Sequence, residues 1–295
     1  NFGDVDTLSL SRKKLHYAFD HGITHFDLAN NYGPSYGSAE ETFGQIMKSS
    51  FAPYRDELFI STKAGHDMWP GPYGNWGSRK HLMASLDQSL KRMNLDYVDV
   101  FYSHRYDPET PLEETLQALV DIVRKGKALY VGLSKYPLDA YLFASRYLKE
   151  RDVPCLLYQG RYSMLVREPE SQGILNAVKE NGSGFVAFSP LAQGLLTNRY
   201  LNGIPDNSRI ARGGFLKKEA LTPEVLSKIQ ALNERAAMRG QSLAEMALAW
   251  LLKNETVTSV IVGASSVEQL GDSLKTLNHL SFEEEELHAI EKILM

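Results

Sequence analysis

Seven short apolar runs, separated by amphipathic stretches and polar loops, constrain the fold of this 295-residue chain more than any other feature. They end near Ala29, Ala64, His104, Ser134, Gly160, Ser189 and Gly263. Each run is nearly continuous in hydrophobicity, not alternating, as expected of strands buried on both faces of a parallel sheet. The intervening stretches have helical spacing. Residues 79–94 place Leu82, Leu86, Leu90 and Met93 on one stripe. The same period predicts helices over 6–20, 112–125, 138–150, 171–181, 223–239, 243–253, 267–277 and 282–294. A further helix should start at Ser38, which reads as an N-cap with Glu41 three residues on and Phe43 and Ile46 facing inward.

Strand–helix alternation over the whole length leaves two architectures, a closed (β/α)8 barrel or an open doubly wound sheet. No linker or shift in composition divides the chain, so residues 1–295 read as a single domain. A barrel needs eight strands. The eighth would precede the first helix, with Asn1-Phe2-Gly3 as the tail of a strand lying upstream.

Hydrophobic residues at 43% and charged residues at 23% suit a chain with a sizeable core. A net charge of -4 gives no case for nucleic acid or an anionic membrane surface, and no apolar run approaches the roughly 18 residues of a membrane helix. Cys155 is the one cysteine and cannot form an internal disulfide, which points to a reducing cytoplasm. The eight histidines show no zinc spacing, so no metal is expected. Whether the chain forms a homo-oligomer is left open.

In a (β/α)8 barrel the active site lies at the C-terminal ends of the strands. Asp27, Lys63, His104, Ser134, Gln159, Ser189 and Gly263 all fall at such ends, with Tyr32 in the loop after Asp27. Any one of these has a plain alternative. Asp27 with Lys63 is also what a buried ion pair looks like, Tyr32 can pack on its loop, and His104 can cap a neighbouring turn. Seven polar strand ends in succession favour a catalytic centre. A phenol beside an ammonium has its pKa lowered, so Lys63, held by Asp27, should activate Tyr32 as the proton donor to an alkoxide forming from a carbonyl. His104 would orient the carbonyl oxygen. No side chain supplies the hydride, so a nicotinamide cofactor is implied. No Gly-x-Gly-x-x-Gly follows a strand and opens a helix, which disfavours a Rossmann site.

Asp27-x-Ala29-x-x-Tyr32, Ser61-Thr62-Lys63 and His104 at a strand end together resemble the Asp–Tyr–Lys–His tetrad of the aldo-keto reductases, in order and spacing, and the similarity extends over essentially the whole chain. The resemblance implies a (β/α)8 barrel with NADPH extended across its mouth. It implies that Ser134 and Gln159 hold the nicotinamide carboxamide and that Phe188 lies against the ring. Asp27 joins the cofactor site. Ser189, Leu191 and Gln193 belong to a pyrophosphate loop, followed by Arg199 and Arg209. Gly263, Ser265 and Gln269, with Asp272 and Ser273, form the adenosine-phosphate segment. Two positions depart from the family pattern. Lys135 replaces the common Asn after Ser134, and Asp272-Ser273 replaces a Glu-Asn pair. The loop Asp67-Met68-Trp69-Pro70-Gly71-Pro72-Tyr73-Gly74 and the segment Ser103-His104-Arg105 are similar to those of the branch of bacterial L-glyceraldehyde 3-phosphate reductases, near the potassium-channel beta subunits. Trp69, Tyr73 and Trp76 would then wall a substrate pocket and Arg105 would meet a phosphate. Loop packing is the plain alternative for the aromatics, and a surface salt bridge for Arg105.

The resulting expectation is NADPH-dependent reduction of small aldehydes, of the glyceraldehyde 3-phosphate or methylglyoxal type. Two other classes remain in view: a cofactor-sensing regulatory subunit with little turnover, and a lyase forming a Schiff base on Lys63.

Overall fold

The computed structural model describes residues 2–3, 6–201, 203–206, 210–211, 213 and 216–295. The backbone falls into two compact units. The first comprises Asn1–Gln159, Gly173–Gly184 and Gly263–Val267; the second comprises Gly160–Gln172, Phe185–Val262 and Glu268–Met295.

In the first unit, strands β1 (His25–Asp27), β2 (Phe59–Ala64), β3 (Val98–Ser103), β4 (Ala128–Ser134) and β5 (Cys155–Arg161) pair in parallel and in chain order. Helices α1 (Leu8–Asp20), α2 (Ser38–Ile46), α3 (Arg79–Met93), α4 (Leu112–Arg124) and α5 (Leu138–Lys149) alternate with them. The predicted stripe of α3 is buried at all four positions, and Phe43 and Ile46 of α2 have no exposed surface. Helices α2 and α3 approach so closely that a Cβ on Gly44 would lie 2.0 Å from the carbonyl oxygen of Arg92. Gly132 on β4 makes similar room for Tyr102 on β3: an added Cβ would meet its ring at 2.3 Å.

Two short helical segments follow in chain order: α6 (Glu168–Ser171) lies in the second unit and α7 (Ile174–Glu180) in the first. Strand β6 (Gly184–Phe188) pairs in parallel with β7 (Val257–Val260). Helices α8 (Pro223–Met238), α9 (Leu243–Leu252), α10 (Val267–Leu274) and α11 (Glu284–Leu294) complete the order. A capping box of Ser242 and Glu245 starts α9.

Four expectations are corrected. Ser38 is the first helical residue of α2 and not its cap. Gly37, at φ +90°, takes the cap position, a left-handed conformation that glycine adopts without steric cost. Helix 171–181 is broken, because Gly173 at φ +76° separates α6 from α7. The apolar run of β4 is not buried throughout, since Leu129 and Tyr130 are 48% and 46% exposed. Phe2 and Gly3 form a turn, not a strand, and Asn1 lies outside the described residues. Among the described residues no helix is long and apolar enough to cross a membrane.

One buried charge ties α2 to the sheet. Glu40 has no exposed surface and accepts a hydrogen bond from the Thr62 hydroxyl at 2.5 Å and from the Arg92 Nε–H at 2.8 Å. Breaking a buried pair from one side leaves an uncompensated charge, at a cost of about 3 kcal/mol or more. Arg92→Ala should therefore lower unfolding free energy by about 3 kcal/mol in urea denaturation. A loss well under 1 kcal/mol would show that water replaces the guanidinium.

Candidate active site

Strand register assembles the site in the first unit. Asp27 is the last residue of β1 and aligns with Ser61, so Lys63 projects one step beyond the end of β1, two residues from Ser61 and on the same face. Ala64 aligns with Ser103, which places His104 immediately past the end of β3. Ser134 aligns with Gln159 at the ends of β4 and β5.

The Asp27 carboxylate is the acceptor at the centre. Lys63 Nζ donates to its Oδ2 at 2.6 Å, while Ser61 Oγ and Gln159 Nε2 donate to its Oδ1 at 2.6 and 3.2 Å. Lys63 also donates to the carbonyl of Leu28 at 2.6 Å and has no exposed surface. Burial disfavours its charge, but the Asp27 carboxylate and Tyr32 together outweigh that penalty and the ammonium titrates above its ordinary value. Ser61 in turn lies 3.0 Å from His25 Nε2.

Tyr32 is positioned over this pair, with Lys63 Nζ 5.1 Å from its ring centroid. As a residue it keeps 37% of its surface exposed. Burial of the phenol is nonetheless the largest influence on its pKa and raises it. Lys63 pulls the value down and Asp27 pushes it up. The net direction corrects the expectation of a lowered pKa: the ammonium's pull is real but smaller than the desolvation. The phenol therefore carries its proton at neutral pH, as a donor must.

His104 is buried and packs edge-to-face against Tyr32 at 5.8 Å and His66 at 4.5 Å. Burial, with the cations Lys63, Lys135 and Arg105 around it, holds its imidazole well below the usual value. The ring is neutral. Its buried Nδ1 has no hydrogen-bond partner, which assigns the proton to Nε2, since an unpaired lone pair is the lesser loss.

Ser134 Oγ is fully buried and also without a partner. It stands in register with Gln159. A hydroxyl and an amide side by side at two strand ends fit the carboxamide of a nicotinamide, so the residues present suit the implied cofactor.

The substrate candidates divide. Arg105 is fixed by its Nε to the carbonyl of Gly65 at 2.8 Å and by its Nη2 to Asn75 Oδ1 at 2.7 Å, and it stacks on Trp76 at 3.7 Å. These acceptors are neutral; burial disfavours its charge, and the nearby carboxylates of Asp67 and Asp107 favour it. Trp69 packs against His81 at 4.9 Å, and the Tyr73 carbonyl accepts from His81 Nδ1 at 2.9 Å. Tyr73 itself is 48% exposed. Trp69 and Trp76 thus anchor their loop, and Asp107 secures it by accepting from the Gly77 amide at 2.8 Å.

Of the remaining cofactor candidates, Gly263 and Ser265 lie in the first unit. Phe188, Ser189, Leu191, Gln193, Arg199, Gln269, Asp272 and Ser273 lie in the second. There the loop after β6 holds three non-glycine residues in left-handed conformation, Ser189, Ala192 and Gln193 at φ +54°, +46° and +60°. Such strain gathers where a backbone is shaped for a ligand. Asp272 pairs with Lys275 at 2.7 Å, and Ser273 Oγ donates to the Gln269 carbonyl at 3.1 Å. Arg209 lies outside the described residues.

His25, Ser61, His66 and Asn75 were not singled out from sequence. Period-two spacing from Asp27 and Lys63 points at His25 and Ser61; nothing local marks His66 or Asn75. Among the described residues no group of three or more His, Cys, Asp or Glu is placed to hold a metal.

The model of the Aldo/keto reductase family matches residues 7–295. The chain is 56% identical over 297 residues to L-glyceraldehyde 3-phosphate reductase of Escherichia coli O157:H7, covering 99% of this chain and 86% of that protein. It is 35% identical over 283 residues to a probable voltage-gated potassium channel subunit beta of Arabidopsis thaliana, covering 94% and 84%. Among solved structures, a thermostable aldo-keto reductase in complex with the inhibitor epalrestat matches with a TM-score of 0.75 at 29% identity, covering 99% of this chain and 90% of that one. The seven parallel strands with alternating helices are thus those of a (β/α)8 barrel fold.

The histidines give a pH signature. Burial, with Lys135 and Arg105, lowers His66 to about 4. An unfolded histidine binds its proton near pH 6.5. Between these values the unfolded chain holds more protons, so the stabilising contribution is complete above about pH 6.5 and falls as pH drops toward 4. Imidazole nitrogen NMR at pH 6 should find His66 and His104 neutral. Protonation of either near pH 6.5 would contradict the packing described.

Proposed function

We propose that this chain, which belongs to the aldo/keto reductase family, reduces small aldehydes of the glyceraldehyde 3-phosphate or methylglyoxal type to alcohols with NADPH, and that Tyr32 donates the proton. The protein is an oxidoreductase, and members of its family generally use NADH or NADPH. Its relatives in two Escherichia coli strains, 56% and 55% identical, are L-glyceraldehyde 3-phosphate reductases, which supports the phosphorylated aldehyde. The observation that carries the reading is the wholly buried Lys63 ammonium, paired with Asp27 at 2.6 Å, under a protonated phenol and beside a neutral imidazole.

Each residue then has a defined task. His104 offers its Nε2–H to the carbonyl oxygen and fixes its direction. Tyr32 gives its proton to the same oxygen as negative charge accumulates there. The Lys63 ammonium stabilises the phenolate that remains, and Asp27 keeps Lys63 charged and in place. Ser134 and Gln159 would hold the nicotinamide carboxamide, with the Ser189–Gln193 loop and Arg199 on the phosphates. When bound, the reduced nicotinamide supplies the hydride that no side chain can. Cys155 is buried, with its thiol pushed up to about 12; it takes no part, and a single unreactive thiol suits a cytoplasmic enzyme.

The test is NADPH oxidation followed by absorbance, with glyceraldehyde 3-phosphate, methylglyoxal and an aromatic aldehyde. Tyr32→Phe should lower kcat by about 10²-fold or more, the usual worth of a positioned acid, while NADPH binding measured by fluorescence stays within about twofold. Normal turnover would remove Tyr32 as the acid. Arg199→Ala should weaken NADPH binding by about fivefold, a typical loss for one charge-assisted contact. Unchanged affinity would place the phosphates elsewhere. Tight NADPH binding with no turnover on any aldehyde would instead favour a cofactor-sensing role like that of the channel subunit relative.

A further inference from the structure

His104 has no hydrogen bond to orient its ring. Its Nδ1 is buried and without a partner. An imidazole that presents one nitrogen to a substrate is ordinarily set by a hydrogen bond at the other. Here the orientation has to come from packing. Two rings meet the imidazole nearly at right angles, Tyr32 at 5.8 Å and 75° and His66 at 4.5 Å and 83°. His66 is the nearer of the two, and proton donation does not use it. The local backbone brings it there. The His104 amide donates to the carbonyl of Ala64, the last residue of β2, at 2.9 Å. Gly65 follows at φ +148°, and a Cβ there would lie 3.3 Å from the His104 Cβ, so the chain turns closely past the end of β3. Arg105 Nε pins that turn through the Gly65 carbonyl at 2.8 Å. The His66 ring is held from its far side, where Lys135 Nζ lies 3.2 Å from Nε2. An ammonium only donates, so Nε2 is the acceptor and the His66 proton sits on Nδ1.

We propose that His66 is a positioning residue: with Tyr32 it clasps the His104 imidazole and fixes the ring orientation that directs Nε2–H at the carbonyl oxygen. This rests on the reductase reading and adds to it the group that aims His104. A hydrogen bond at Nδ1 would fix tautomer and direction together. In its absence the two are fixed separately. Burial fixes the tautomer, because a proton on Nδ1 would have no acceptor. Packing fixes the direction, because turning the imidazole about its Cβ–Cγ bond is opposed by the two rings standing across it. The flat ring of His66 is what acts on His104, and its Nε2 serves to hold that ring in place.

The experiment uses the full chain and two readouts: imidazole nitrogen NMR without substrate, and NADPH-dependent reduction of glyceraldehyde 3-phosphate. In the unsubstituted chain His104 should show one neutral tautomer, with its proton on Nε2. His66→Ala should give His104 signals averaged between the two neutral tautomers. It should also lower kcat about tenfold, the scale of loss for a misaimed group, with NADPH affinity by fluorescence held within about twofold. His66→Phe, which returns a flat ring without the nitrogens, should restore the Nε2–H signature and most of kcat. In an active chain, an unchanged His104 signature or an unchanged kcat in His66→Ala would each overturn the proposal. So would a His66→Phe variant as impaired as His66→Ala, which would assign the effect to the nitrogens and not to the ring. If His66→Ala does not fold, His66→Leu, bulky but not flat, is read in its place with the same expected changes. A chain that reduces no aldehyde would count against the reductase reading. The clasp would then be judged by NMR alone: averaging in His66→Ala that His66→Phe reverses supports it, and an unchanged signature overturns it.

Discussion

Lys63 carries a positive charge with no surface open to water, and it is the contact with Asp27 that makes such a charge tolerable. An isolated ammonium in this position would lose several kcal/mol of hydration and shed its proton. Asp27 Oδ2 and the Leu28 carbonyl, each at 2.6 Å, replace the lost water. Asp27 is itself held by Ser61 from β2 and Gln159 from β5. The pair therefore requires parallel strands in a particular register. A shift of one residue would turn Lys63 to the opposite face and leave both charges buried alone.

Around that pair the surroundings sort the neighbouring groups into fixed protonation states. Burial keeps the Tyr32 phenol protonated despite the ammonium beside it. Burial and nearby cations keep His104 and His66 neutral. An acid that holds its proton, next to a neutral donor and a permanent cation, is suited to a carbonyl oxygen that gains charge as it reacts. No group has to reorganise first, which is where much of the advantage of a preformed polar site lies.

Much of this was legible from residue order. The strand ends at Asp27, Lys63 and His104 were visible because each apolar run stops at a titratable residue. The stripe of α3 was visible because four large apolar residues recur at helical spacing. Other features were not. Gly37 took the cap from Ser38 because a left-handed turn precedes α2, and turn conformation is poorly signalled by a Gly-Ser pair. The break at Gly173 interrupted a helix whose apolar pattern continues across it. The pKa of Tyr32 went the other way because desolvation depends on how many atoms surround the hydroxyl, and no local spacing encodes that.

By itself, the sequence determined the alternation of strands and helices, the chemistry available at each strand end and the resemblance of that set to a known tetrad. These follow from residue type and local period, which act over a few positions of chain. Tertiary structure alone decided the partners: Ser61 and Gln159 on Asp27, the orphaned hydroxyl of Ser134, and His66 between His104 and Lys135. Lys135 and His66 are 69 residues apart in the chain and 3.2 Å apart in space. Contacts of that kind depend on strand register and on loop paths between strands, and it is there that burial and electrostatics convert a list of residues into a site.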